Sequence, residues 1–260
     1  MEENPLISAI IITKNEEKNI ARCLNSIVSL ADEIIIIDSH STDRTEQICA
    51  SYDKLSFHCT DWKGYSETKN YGNSLAKGEY ILSIDADEVI SDELMQSLKN
   101  FAAESNRAEA CSFNRLTNFC GKWIRHCGWY PDKKIRLWRK DLAHWKGKVH
   151  EKPVFTRTVT IGHLKGDLLH YSYHSVEEFR NHTRKYSDLA SREIAEKGVR
   201  FLLLRSFISP LSRFITGYFF RGGFLDGYYG FLICRISAEG VHRKYKDSYR
   251  IKKLKDQSRR

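Results

Sequence analysis

The run Tyr80-Ile-Leu-Ser-Ile-Asp85-Ala-Asp87-Glu88 passes from apolar residues to carboxylates within a few positions. Two aspartates one residue apart at the carboxyl end of a strand present hard oxygen ligands suited to a divalent cation. Two other apolar runs also end in polar residues: Thr13-Lys-Asn15-Glu16 closes the first, and Asp38-Ser-His-Ser-Thr42 closes the second. In a doubly wound sheet, ligands bind beyond the carboxyl ends of the strands, so the three tips are expected to converge. No Gly-x-Gly-x-x-Gly follows the first run and no Walker-type glycine loop occurs anywhere, which argues against a nicotinamide, a flavin or a P-loop nucleotide. A nucleotide could still bind by its base and ribose to Thr13, Glu16 and Asp38, with its diphosphate bridged by a metal ion on Asp87.

The elements that must position these residues emerge from periodicity. Ile7 to Thr13 reads as a buried strand, and Asn15 as the cap of a helix to about Leu30, with Ile20, Leu24, Ile27 and Val28 at helical spacing. Ile34 to Asp38 is a second strand, Asp43 and Glu46 form a capping pair for a helix to about Tyr52, and Leu55 to His58 is a third strand. Ser66 to Ala76 reads as a helix stopped near Gly78, Tyr80 to Asp85 as the fourth strand, and Ser91 as the start of a helix through Phe101. This alternation predicts an α/β fold, a mainly parallel central sheet flanked by helices. Beyond residue 105 the aromatic-rich stretches 110–119 and 123–138 predict short, irregular, partly antiparallel strands. Val176 to Glu196 returns to helix, with Phe179, Thr183, Tyr186, Ala190 and Ile194 along one stripe. The division expected is a catalytic domain over residues 1–175 and a helical appendage over residues 176–260.

Charge is distributed unevenly. The 260 residues carry a formal charge of +9, but residues 181–260 hold 18 Lys+Arg against 7 Asp+Glu, leaving 24 against 26 for the rest. The same tail is rich in Phe, Leu, Ile and Tyr, interrupted by Arg205, Arg213, Arg221 and Arg235, and lacks the charge-free run of roughly 18 residues that crosses a bilayer. Such a mixture suits the surface of an anionic inner leaflet, so a peripheral membrane partner is expected; the alternatives are an ordinary packing helix with a solvated basic end and, behind it, nucleic-acid binding. The acidic start, Met1-Glu-Glu-Asn-Pro5, does not have the layout of a secretory signal and points to the cytoplasm. Seven cysteines without a Cys-x-x-Cys pair read as reduced thiols.

Taken together, Ile10-Ile-Ile-Thr-Lys-Asn-Glu16, Ile37-Asp38-Ser39 with Ser41-Thr-Asp43, and Asp85-Ala-Asp87 resemble the inverting family 2 glycosyltransferases over roughly Ile7 to Asn100. The resemblance implies the GT-A fold and a Mg2+ or Mn2+ cofactor. By analogy Thr13, Asn15 and Glu16 belong to the nucleotide-sugar site, Asp38 meets the nucleobase or ribose, Asp85 the ribose side of the donor, and Asp87 the metal. Lys69 in Glu67-Thr-Lys-Asn70 stands where the family has a basic residue near the nucleotide; the alternative is a helix-surface charge.

An inverting transfer needs a carboxylate to take the acceptor's proton. The family usually supplies it from a Glu-Asp motif; here Lys148-Val-His150-Glu151 follows an aromatic run, so Glu151 is the expected base with His150 lining the site, and Asp132 in Tyr130-Pro-Asp132 is the alternative. Many GT-A enzymes add a late histidine to the metal shell, a role that falls to His170, with His174 as substitute. Arg136 and Arg139 are placed to steady phosphates of the leaving group or acceptor. Within the family, Ser8 to Glu17, Ser83 to Glu88, Gly147 to Glu151 and Gly223-Phe-Leu-Asp-Gly227 resemble the lipopolysaccharide-core β-glucosyltransferase group. That implies a UDP-sugar donor, UDP-glucose, and a lipid-linked saccharide acceptor. The competing readings are a sugar-nucleotide pyrophosphorylase, which would need a glycine-rich loop after the first strand, and a noncatalytic membrane-associated nucleotide-binding module.

Overall fold

The computed structural model describes residues 6–147, 151–197 and 199–257. Two compact units emerge: Met1–Arg115 with Asp132–Tyr171, and Leu116–Pro131 with Ser172–Arg260.

The first unit begins as the alternation predicts: β1 (Ile7–Thr13), α1 (Ile20–Ile27), β2 (Glu33–Asp38), α2 (Thr45–Cys49), β3 (Leu55–Cys59), α3 (Tyr65–Leu75) and β4 (Tyr80–Asp85). The chain continues with β5 (Glu88–Ile90), α4 (Asp92–Ala103), β6 (Ala110–Phe119), β7 (Lys122–Ile124), β8 (Asp132–Arg139), β9 (Ala143–Lys146), β10 (Lys152–Phe155) and β11 (Ile161–Tyr173). The main sheet runs β3-β2-β1-β4-β8-β6-β11-β5, and β9 pairs with β10 apart from it. β1 is parallel to both β2 and β4, whereas β8 joins β4 antiparallel.

Every residue of β1 is buried, because helices cover both faces of the parallel half. Ile7, Ala9 and Ile11 pack with Ile20, Leu24 and Ile27 of α1, while Ile10 and Ile12 face the opposite core with Ile35, Ile37, Trp138 and Trp145. Each fully buried Ile or Leu contributes on the order of 1.5–3 kcal/mol, so this alternation fixes the register. In that register Thr13 pairs with Asp38 and Ile12 with Asp85, which brings the three polar strand ends to one edge of the sheet.

The helix starts differ from expectation in two places. Asn15 does not cap α1; its backbone takes a positive φ of 55°, its N–H donates to Ser41 Oγ at 2.7 Å and its Oδ1 accepts from Thr42 N–H at 2.8 Å. The side chain thus ties two loops together, and the helix begins only at Ile20. Asp43 accepts from Thr45 and from Glu17 N–H, and its helix stops at Cys49, short of Tyr52. Ser91 caps α4 through Leu94 N–H, as its sequence indicates.

The stretches expected to be short and irregular contain a regular ten-residue β6 and an eight-residue β8, antiparallel with one bulge at Cys111/Ser112. β11, thirteen residues long, escapes a pattern reading because Gly, His, Lys and Asp dilute its apolar positions.

In the second unit, β7 pairs with Thr117 to Phe119 of β6, and α5 (Val176–Glu196), α6 (Leu202–Ile215) and α7 (Gly227–Gln257) complete the chain's helices. Ser175 and Glu178 form a capping box at the start of α5. The buried face of α5 is Phe179, Ser187, Ser191 and Ala195 rather than the Tyr186 and Ala190 stripe; Tyr186 is exposed. Ser187 Oγ donates to Gly240 O at 3.0 Å, so small residues let α5 and α7 approach closely, a packing mode that hydrophobicity alone does not signal. Among the described residues no helix is long and apolar enough to cross a membrane.

Gly72 sets how closely α3 approaches the sheet, because a Cβ there would lie 2.5 Å from Ile10 Cγ2 and 3.1 Å from Ile37 Cγ1. Its lack of a side chain lets α3 lie directly on β1 and β2. We expect Gly72→Ala to destabilise the protein by about 1–3 kcal/mol through overpacking. A urea midpoint lowered at unchanged m-value checks this; an unchanged midpoint contradicts it.

Candidate active site

Lys69 is 1% exposed, and the apolar face of its helix is replaced here by the buried set Thr68, Lys69 and Gly72. A buried ammonium requires paired charge, and it finds two carboxylates: Nζ lies 2.8 Å from Asp85 Oδ1 and 3.4 Å from Glu151 Oε1. Its charge also sits 4.5 Å from the centroid of the Trp145 ring. Asn70 secures the helix to β9, its Nδ2 donating to Trp145 O at 2.9 Å and its Oδ1 accepting from Trp145 N–H at 2.7 Å. Lys69 is therefore an interior charge, not a helix-surface one.

Arg136 approaches the same group from β8. Its Nη2 donates to Asp85 Oδ2 at 2.7 Å and to Glu88 Oε1 at 2.8 Å, and the residue is 5% exposed. The structure thus places Arg136 on the carboxylates behind the strand tip. Arg139 pairs with Asp141 at the surface. Glu88, fully buried, accepts the Asp85 N–H at 3.0 Å and also meets Arg115 at 3.5 Å. Burial alone would push the Asp85 carboxyl up, but the Arg136 guanidinium and the Lys69 ammonium outweigh it and hold the group well below the usual carboxylate range.

Asp87 turns the other way. Its Oδ2 lies 3.1 Å from His170 Nε2, and its backbone carbonyl accepts the Tyr171 N–H at 2.9 Å. The pairing of β11 with β5, His170 opposite Glu88, brings this histidine to the site. His170 Nδ1 is buried without a hydrogen-bond partner. One carboxylate oxygen beside one imidazole nitrogen is a donor set compatible with Mg2+ or Mn2+. Among the described residues no group of three or more His, Cys, Asp and Glu side chains is placed to hold an ion by itself. Negative charge nevertheless accumulates here: burial chiefly, then the charges of Asp87, Asp43 and Asp85, raises the Glu16 carboxyl despite the hydrogen bond from Asn19. Burial and then Glu88, Asp87 and Asp85 raise the Cys23 thiol in the same way.

The second polar tip is a hydrogen-bonded knot. Asp38, 2% exposed, accepts from Thr13 Oγ1 at 2.8 Å, Ser41 N–H at 2.7 Å and Ser41 Oγ at 2.6 Å. Glu16 N–H donates to Thr45 Oγ1 at 2.9 Å, so the loops after β1 and β2 hold each other in place. Asp132, the alternative base, is engaged by Arg115 at 2.9 Å and Lys134 at 3.0 Å. His174 belongs to the second unit, where its N–H donates to Glu178 at the start of α5. His150 lies outside the described residues.

Glu88, Arg115 and Trp145 are the participants that spacing does not single out. Glu88 stands within the acidic run itself, and its signal was its position directly after the Asp-x-Asp pair. Arg115 and Trp145 sit on strands of ordinary aromatic and basic composition and carry no local signal.

A parallel half-sheet ending in acidic tips is extended by antiparallel strands that return a histidine to Asp87, an α/β architecture with its polar groups gathered at one edge. The model of the family described as Glycosyl transferase family 2 matches residues 8–161, and the chain belongs to that family. Its mixed sheet and C-terminal helical region constitute the GT-A fold expected from the sequence. An uncharacterized glycosyltransferase of Rickettsia typhi is 32% identical over 236 residues, covering 87% of this chain and 80% of that protein. The lipopolysaccharide core biosynthesis glycosyltransferase LpsC of Rhizobium meliloti is 27% identical over 258 residues, covering 92% of this chain and 93% of its own. Among solved structures, S. aureus TarS 1–349 aligns with 94% of this chain and 91% of its own, at 18% identity and a TM-score of 0.46.

The Asp85 cluster generates a pH-dependent stability. With its folded pKa held below the unfolded value of about 3.9, the ionised carboxylate stabilises the fold above that pH, and the contribution disappears as pH falls through the folded pKa. Asp85→Asn strands Lys69 and Arg136 with fewer partners and is expected to cost about 3 kcal/mol at neutral pH. The gap to wild type should narrow progressively below about pH 4, as the wild-type carboxyl takes up its proton. Denaturant midpoints from pH 7 downward measure it; a gap independent of pH would contradict the assignment.

Proposed function

We propose that this family 2 glycosyltransferase moves a hexose, glucose on the strength of the sequence resemblance, from a UDP-sugar to a lipid-linked saccharide by a single inverting displacement. The observation that carries the reading is the buried Lys69 ammonium. Its Nζ lies 2.8 Å from Asp85, at the end of β4, and 3.4 Å from Glu151, just before β10. A donor-binding acid and a candidate base are thereby kept within one site. The acceptor class is supported by similarity to LpsC, whose name places that protein in lipopolysaccharide core biosynthesis.

In this reading Asp85, clamped by Lys69 and Arg136, stays ionised and faces the ribose side of the donor. Thr13, Asn15, Glu16 and Asp38 form the nucleoside wall; because Asp38 already accepts three hydrogen bonds, it fixes the shape of that wall as much as it offers an acceptor. Glu151 removes the proton from the attacking hydroxyl, and Lys69 Nζ, 3.4 Å from Glu151 Oε1, helps to position that carboxylate. Asp87 and His170 would hold a Mg2+ or Mn2+, whose contribution when bound is to neutralise the charge that develops on the departing diphosphate. His150, beside Glu151 in sequence, is proposed to line the acceptor side. Arg136 acts through Asp85 as a positioning residue. Residues 1–175 would carry the catalysis and residues 176–260 the membrane-facing function, placing the enzyme at the cytoplasmic face of the inner membrane.

The first test is a screen of UDP- and GDP-sugars for nucleotide release that depends on Mn2+ or Mg2+, repeated with membrane extract as acceptor. Release from a UDP-hexose that is abolished by chelation supports the reading; release from no UDP-sugar under any metal condition overturns it. Asp87→Ala should nearly abolish transfer in a folded protein and remove the extra thermal stabilisation that Mn2+ adds to bound UDP. Retention of that stabilisation would move the metal elsewhere. Glu151→Gln should bind donor like wild type and lose at least about a hundredfold in kcat, the scale of a lost general base. Unchanged turnover would transfer the role to another acid.

A further inference from the structure

α6 is built inside out. Its buried residues are Leu202 and the small polar Ser206, whose carbonyl accepts from His242 Nδ1 at 2.7 Å, while Leu204, Phe207, Ile208 and Leu211 point outward. Those four recur at helical spacing, and Phe207 and Leu211 are 64% and 62% exposed. The next turns, Thr216–Phe220 and Gly223–Asp226, continue the surface with Phe219, Phe220, Phe224 and Leu225, and Tyr228 opens α7. Phe220 is 82% exposed. Exposed apolar side chains concentrated in one segment in this way mark an interaction surface.

Charge identifies the occupant. Between residues 199 and 238 the chain carries Arg200, Arg205, Arg213, Arg221 and Arg235, and its one acidic residue there is Asp226. Asp226 is 4% exposed and already accepts the His126 N–H at 2.8 Å, and the next acid along the chain, Glu239, pairs with Arg235 at 2.9 Å, so the exposed segment from 200 to 225 carries only cations. Beside α6, a cleft of about 480 Å³ joins Phe201, Leu203 and Tyr249 to Lys252 and Lys253, an apolar floor with a cationic edge. Apolar side chains surrounded by Arg and Lys match the boundary between acyl chains and anionic headgroups. A second copy of this chain would bring the same arginines against one another across a two-fold axis, which disfavours that occupant.

We propose that the outward stripe of α6, together with the aromatic turns 216–228, docks the protein onto an anionic bilayer, with Lys252 and Lys253 engaging lipid headgroups. The proposal gives residues to the membrane association included in the proposed function and rests on it for the acceptor's location, not for the donor chemistry. The full chain is sedimented with vesicles of phosphatidylcholine alone and of phosphatidylcholine mixed with phosphatidylglycerol, while nucleotide release from a UDP-sugar is monitored on the same preparations. Wild type is expected to bind the anionic vesicles, weakly or not at all the neutral ones, and less as salt is raised. Phe207→Glu combined with Leu211→Glu, both at exposed positions, should lower binding at least about tenfold without changing the melting curve or the nucleotide release. Lys252→Glu with Lys253→Glu should remove the preference for phosphatidylglycerol. Failure of wild type to bind anionic vesicles, or equal binding by the Phe207/Leu211 variant, overturns the proposal. So does a stable dimer that the same substitutions dissociate with no vesicle binding. Nucleotide release that persists through any of these outcomes leaves the transferase reading standing, and loss of release with vesicle binding intact refutes that reading alone.

Discussion

A positive charge buried at the heart of the first unit sets the terms for everything around it. Lys69 has almost no exposure, so its ammonium persists there only because Asp85 and Glu151 sit within reach and Trp145 offers a ring face. Burying an unpaired ammonium costs several kcal/mol, so removal of either carboxylate falls on the fold as well as on the site. The requirement propagates outward. Gly72 must stay small for α3 to reach the sheet, Asn70 must bridge to β9, and Arg136 with Glu88 must complete the charge balance behind Asp85. Each of these residues is ordinary by itself and becomes constrained through one ion.

The same arrangement separates the two aspartates of the Asp-x-Asp pair, although they are two residues apart. Asp85 is turned inward to cations; Asp87 is turned toward a histidine. Alternation along an extended backbone makes the division automatic, since residues i and i+2 share a face only while the strand continues, and β4 ends at Asp85. Two chemically identical groups thereby acquire different surroundings, one held by the cations Arg136 and Lys69 and the other paired with an imidazole.

Local pattern revealed much of this and missed the rest for identifiable reasons. The parallel half-sheet was readable because fully buried strands such as Ile7–Thr13 are continuous apolar runs with polar ends, and its three tips do meet at one edge. The helix starting at Ser91 was readable from its cap, and the one over Val176–Glu196 from its helical spacing, without the Ser175 cap that starts it. Asn15 misled because Asn caps helices and also adopts positive φ in loops, and sequence does not distinguish the two uses. β11 and the Ser-lined face of α5 were hidden because their burial depends on distant partners rather than on their own hydrophobicity. Lys69 illustrates the limit most clearly: the two carboxylates that bury it come from residues 16 and 82 positions further along the chain, and no local window contains them both.

Coupling between Lys69 and Glu151 inside a single site is the central claim. A double-mutant cycle on nucleotide release from the donor, using Lys69→Met, Glu151→Gln and the combination, measures that coupling directly. The structure predicts strong non-additivity, with an interaction energy of about 1 kcal/mol or more, as found for charged groups in contact. Effects that simply add, within about 0.5 kcal/mol, would show that the two residues act independently and would contradict the central claim.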